Sequence, residues 1–136
     1  MNMLKFGNET DWVSLTVVDY QFGAAEDAFD RNWLLLEATR SVDGNTRVLR
    51  DLALLTWELR DMKRFFQVPE TRTRLEFLEP CVAFSRQGET VLLHLDSGLS
   101  FDKDGNAMSF ETRMDRTWGE RTLCAIEDLC RRFPDR

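Results

Sequence analysis

The side chains able to do chemistry are few in this chain. Among 136 residues there is one histidine, His94, and there are three cysteines, Cys81, Cys124 and Cys130. A Ser-His-Asp or Cys-His mechanism needs a histidine as its general base. Only His94 could serve, and it lies in the alternating run Glu89 to Asp96, opposite in facing to Leu93 and Leu95. The pattern predicts an exposed strand histidine, and nothing in the sequence brings a nucleophile to it. Zinc held tetrahedrally needs four Cys or His ligands at short spacings, which this set does not supply. No C-x-x-C pair, Gly-rich phosphate loop or dinucleotide fingerprint is present. Cys124 and Cys130 point to different sides of one helix. The three thiols are expected to be reduced and packed as small apolar groups. No catalytic residue, metal or cofactor is expected.

One acidic run invites a closer reading. Asp102-Lys103-Asp104-Gly105-Asn106 has the acids and glycine of part of a calcium loop. It lacks the flanking helix pair and the closing glutamate, so a plain β-turn is the expectation. Paired carboxylates of the glycosidase kind arise by chance in a chain this acidic and carry no separate signal.

The elements that must position these residues can be placed from periodicity. Leu4 and Phe6 suggest a short first strand, and Trp12 to Phe22 a second with Val13, Leu15 and Val17 on one face. Gly23 to Asp30 reads as a loop. Trp33 to Val42 and Thr46 to Leu52 read as a hairpin about the Asp43-Gly44 turn. Thr56 is the expected N-cap of a helix with Glu58 in its first turn. Its stripe is Leu55, Leu59, Met62 and Phe66, and Pro69 ends it near Gln67. Leu75 and Phe77, then Val82 and Phe84, alternate as half-buried strands on either side of Pro80. Glu89 to Asp96 and Ala107 to Thr112 complete the strands. The last helix, with Thr117 and Glu120 spaced as a capping box, carries Trp118, Thr122, Ile126, Leu129 and Phe133 on one stripe.

The expectation is an α+β fold in one domain spanning residues 1–136, a curved antiparallel sheet of roughly eight short strands with two packed helices. No apolar run is long enough to span a membrane, and the first residues lack the apolar core of a signal peptide. A cytoplasmic location follows as the default. Trp12, Trp33, Trp57 and Trp118 all fall where a ring can close one end of a core. Trp12 faces away from Val13, Leu15 and Val17, so packing is the expected role for the other three and Trp12 alone is left open to a partner.

Several of these segments also resemble a known family in their wording. LLTWEL at residues 54–59 is followed by LEFLEP at residues 75–80. Upstream stands DRNWLLLE from Asp30 to Glu37, and downstream a helix runs into Phe133-Pro134. In that order they resemble the WapI family of bacterial immunity proteins, over residues 30–136. Cys81 stands where the family usually has asparagine. The resemblance implies a protein that binds and neutralises the C-terminal toxin domain of a contact-dependent effector, by stoichiometric contact and without catalysis.

Charge is the clue that the residues carry independently. The net charge is −6 and the pI about 4.8, and the excess is local. Glu9 to Asp30 holds six acids and no Lys or Arg, including Asp11, Asp19, Glu26, Asp27 and Asp30. Glu89 to Glu111 holds Glu89, Asp96, Asp102, Asp104 and Glu111 against Lys103 alone. If these blocks adjoin, they form a surface that repels nucleic acid and attracts a basic protein. A nuclease toxin must carry a basic groove, so these ten acids are the expected partner-binding residues. Neither nucleic acid nor membrane is an expected partner, and the oligomeric state, monomer or dimer, stays open. The alternative is a small enzyme or ligand-binding module whose site is assembled from residues remote in sequence.

Overall fold

The computed structural model describes residues 3–23, 27–67 and 73–136. Within these residues eight strands and three α-helices make an α+β fold, and the strands divide into two four-stranded antiparallel sheets that do not close into a barrel. In the first sheet β1 (Leu4–Gly7), β2 (Asp11–Tyr20), β3 (Trp33–Val42) and β4 (Asn45–Leu55) lie side by side in chain order. The second holds β5 (Arg74–Glu76), β6 (Val82–Gln87), β7 (Thr90–Leu95) and β8 (Met108–Arg113), also in chain order. Helix α1 (Ala28–Asn32) leads into β3, α2 (Thr56–Gln67) carries the chain between the sheets, and α3 (Arg116–Arg132) follows β8. The stretch expected as loop up to Asp30 therefore ends in a helical turn. Pro69 lies outside the described residues.

The sheets meet where β1 approaches β8. Gly7 donates its N–H to Thr112 Oγ1 at 2.6 Å. Gly7 is at φ +108°, and a Cβ there would lie 2.9 Å from Trp12 Cα of the paired strand β2, so only glycine fits at this end of β1.

Alternation in the strands decides which side chains enter the core. Val13, Leu15 and Val17 of β2 and Leu34, Leu36 and Ala38 of β3 are buried on one face. Val91, Leu93 and Leu95 do the same on β7. Between the sheets and the two long helices, rings gather around Phe84 of β6. Its centroid lies 5.7 Å from Phe6 on β1, 6.3 Å from Phe65 and 5.4 Å from Phe66 on α2, and 6.1 Å from Phe77. Trp118 of α3 joins edge-on to Phe6 and Phe66.

Both long helices depart from the sequence reading at their starts. Thr56 does not cap α2; the helix begins at Thr56, and Glu58 Oε1 accepts the Leu55 N–H at 2.9 Å. The other oxygen accepts the Leu78 N–H at 2.9 Å. Burial pushes the Glu58 carboxyl up, and these two bonds oppose the shift. Asp115, rather than Thr117, caps α3 by accepting from the Trp118 N–H at 2.8 Å. Phe65 is buried on α2 where the stripe was expected to use Phe66, which is half-buried.

A void of about 10 Å³ lies beneath Leu4, Leu15, Leu36, Leu59 and Phe84. It is about the size of one water and lined by apolar surface, too small for a substrate. Because Phe84 is fully buried and touches rings from several elements, Phe84→Ala should destabilise the fold by about 3–5 kcal/mol. Urea unfolding of the two proteins measures this, and a difference under about 1 kcal/mol would show that the ring hub is not central to stability.

Candidate functional site

Histidine first. His94 sits mid-strand on the outward face of β7, with both ring nitrogens occupied. Nε2 lies 2.7 Å from Ser85 Oγ on β6, and Nδ1 lies 2.8 Å from Ser109 Oγ on β8. Sequence could not show this, because each serine is brought there by strand register: Ala83 and Ser109 flank His94, with Ser85 one row away. A neutral imidazole donates from one nitrogen and accepts at the other, and two hydroxyls complement both. Desolvation, then the nearby Arg74 charge, hold the His94 pKa below its ordinary 6.5.

The cysteines are all free thiols. Cys81 is buried, Cys130 half-buried and Cys124 exposed. Burial, reinforced by Asp51 and Glu79, pushes the Cys81 thiol up to about 12, so it stays protonated and unreactive. Among the described residues no cluster of His, Cys, Asp or Glu is arranged to hold a metal. The run at Asp102 is a turn: Gly105 N–H reaches Asp102 O at 2.9 Å, and Asn106 N–H reaches the Asp102 carboxylate at 3.0 Å.

The acids expected to meet a partner are distributed by the strands. Asp11 and Asp19 lie near opposite ends of β2, roughly 26 Å apart along an extended strand. Asp11 pairs with Arg40 at 3.3 Å. Asp19 is exposed, and its carboxylate takes the Tyr20 N–H. Asp27 caps α1 by accepting from Phe29 and Asp30 N–H, and Asp30 is exposed in that helix's first turn. Glu26 lies outside the described residues. The three acids Asp19, Asp27 and Asp30 thus share the α1 end of the first sheet. Glu89 sits in the β6–β7 turn and pairs with Arg113 at 3.3 Å. Asp96 caps a 3₁₀ turn over Ser97–Leu99 at the far end of β7, near Asp102 and Asp104 in the loop that follows. Glu111 is exposed on β8, opposite Leu92.

Around α1 the structure adds groups that sequence reading had not assigned to a site. Phe29 packs edge-on against Trp57 of α2 with centroids 5.5 Å apart. Asp61, one turn beyond Trp57, and Glu79 both lie close enough to Glu58 to raise its pKa. A phenylalanine in a run of small and acidic residues was the available sign for Phe29; Asp61 and Glu79 carried none.

The segment after α3 is wired into the same corner. Arg136 N–H donates to Asn32 Oδ1 at 2.7 Å, and Asn32 Nδ2 donates to Ala28 O and Arg136 O. The Arg136 guanidinium stands 4.0 Å from the Tyr20 ring and donates to Phe22 O and Gly23 O. Asp135 accepts from Thr56 at 2.7 Å and pairs bidentately with Arg60. Those two partners hold the Asp135 carboxyl below its ordinary range.

Acidic side chains and aromatic rings thus meet around α1. Comparison with protein families matches residues 3–134 to the immunity protein WapI-like family. The chain belongs to that family. An immunity role follows, with a toxin as partner in general. No curated protein and no solved structure is significantly similar to this WapI-like chain. No helix among the described residues is long and apolar enough to cross a membrane.

The His94 geometry makes a pH prediction. A folded pKa below 6.5 means that the unfolded chain binds the extra proton first as pH falls. The stability that neutral His94 contributes is present above pH 6.5 and lost as pH drops through the folded pKa. Thermal midpoints followed downward from pH 7.5 should fall more for wild type than for His94→Gln. Parallel curves would show that the ring titrates alike folded and unfolded.

Proposed function

We propose that this WapI-like protein neutralises the C-terminal toxin domain of a cognate effector by binding it one-to-one, without cofactor or catalysis. The observation that carries this reading is the family match over nearly the whole chain. The charge distribution supports it. Carboxylates at Asp19 and Asp30 are exposed and enter no ion pair among the described residues. Such groups speed encounter with a basic partner and discriminate against acidic ones. A nuclease is the toxin class that best matches an acidic inhibitor, because its own substrate requires a basic groove. Blocking that groove needs contact area, not chemistry. The protein acts in this reading as a single domain in the cytoplasm, where an incoming toxin would meet it.

A second reading has one observation in its favour, the Ser85–His94–Ser109 arrangement. Its geometry is against catalysis. β7 is paired on both edges, so the backbone N–H groups beside His94 serve the sheet and are not free to form an oxyanion hole. Hydroxyl–imidazole bonding here holds three strands in register.

Co-expression with the toxin domain encoded immediately upstream, scored by survival and by a one-to-one complex on co-purification, tests the proposal. Ser85→Ala should leave rescue unchanged. Asp19→Lys and Asp30→Lys together should slow association about tenfold at low salt and less at high salt, by stopped flow. Asp27 is left intact, since reversing it would remove the α1 cap. A toxin that kills despite co-expression and never co-purifies would end this reading, and association rates unmoved by the double reversal would remove the acids from it.

A further inference from the structure

We infer that the Phe29–Trp57 corner is itself the docking face, and that its occupant is a basic toxin surface laying an arginine side chain on the exposed Phe29 ring. The inference rests on the toxin-binding reading and names the surface that performs it. Large aromatic side chains stand open to solvent at and just before α1: Phe29 is 52% exposed and Phe22 40%. Leu78, which is 64% exposed, is bound through its N–H to the first turn of α2.

A buried apolar residue stands apart from the main core at this end of the sheet. Leu55 is 1% exposed, yet it is not part of the main core cluster. Register explains this. Leu34 and Leu54 pair on the core side, and the next pair, Trp33 and Leu55, faces outward. Trp33 and Trp57 likewise stand outside the main core, and both are half-buried. A large apolar residue buried on the outer side of a sheet, opposite one half-open tryptophan and two residues before another, has the form of an interface anchor.

Charge selects the occupant. Asp30 lies beside Phe29 on α1, and Asp61 lies one turn beyond Trp57 on α2. Neither enters an ion pair among the described residues. The arginines of the corner are already engaged. Arg60 pairs with Asp135, Arg136 is held on Tyr20 and two carbonyls, and Arg31 is partnered too. An aromatic face flanked by unpaired carboxylates recognises a guanidinium, by stacking on the ring and hydrogen bonding to the acid. The 133–136 segment holds α1 in place beforehand, which lowers the ordering cost of binding.

The test is titration calorimetry of the full chain with the upstream-encoded toxin domain, made inactive by substitution. Phe29→Ala should weaken binding about tenfold or more. Its thermal midpoint should stay at the wild-type value, since the ring is half-exposed. Phe29→Tyr, which keeps the π face, should bind as wild type, and Phe29→Leu, which keeps only apolar mass, should not. Asn32→Ala should weaken binding by loosening α1, because its amide carries the bonds between α1 and the Arg136 backbone. Val48→Ala, 53% exposed toward the hairpin end of the same sheet, should change nothing. If wild type binds tightly and Phe29→Ala binds equally well, the docking face lies elsewhere while the toxin-binding reading stands. If wild type does not bind the toxin, both fail together.

Discussion

Both sheets and helix α2 converge on one phenyl ring, α3 joins at its rim through Trp118, and the remaining structure follows from that convergence. Phe84 leaves β6 toward the interior and meets rings from β1, from α2 and from the loop after β5. Neither sheet closes on itself, so each has an apolar face needing cover. The ring cluster supplies cover for both at once. The covered faces point inward, so the opposite faces are left for hydroxyls, charges and the few apolar groups that serve other ends.

That division explains the two surfaces of interest. On the second sheet the outward face carries His94 between Ser85 and Ser109, a polar row that keeps three strands in register. On the first sheet the outward face becomes apolar toward α1, where Trp33 and Leu55 face away from the core. The segment after α3 then crosses to this corner and fixes it through Asn32, Thr56 and Tyr20. Much hydrogen bonding is thus committed to a partly solvent-exposed corner. A corner of this kind keeps its shape before any partner arrives.

Legibility varied with how local the cause was. Trp33–Val42 was readable to the residue, because an apolar run that opens at Trp33 ends in an Asp-Gly turn. The helix end at Gln67 was readable from Pro69. Helix starts were not. Thr56 looks like a cap, but its hydroxyl is taken by Asp135, 79 residues away, and Glu58 reaches back in its place. The cap of α3 fell to Asp115 because the hydroxyl two residues later lies already inside the helix. The division of eight strands into two sheets also escaped the sequence, since strand order depends on which edges meet.

Periodicity, wording and composition by themselves determined the α+β class, most strand boundaries, the family and the excess of acid in two blocks. These depend on neighbours in the chain, and neighbours are written in order. Only tertiary structure decided how those acids are grouped. A strand of ten residues carries Asp11 and Asp19 to opposite ends of the sheet, while α1 brings Asp27 and Asp30 back beside Asp19. It also decided that Phe29 meets Trp57, and that Leu55 is buried apart from the core. Those contacts arise because β3 and β4 are antiparallel neighbours, which sets the helix entering one against the helix leaving the other. No local pattern encodes that adjacency.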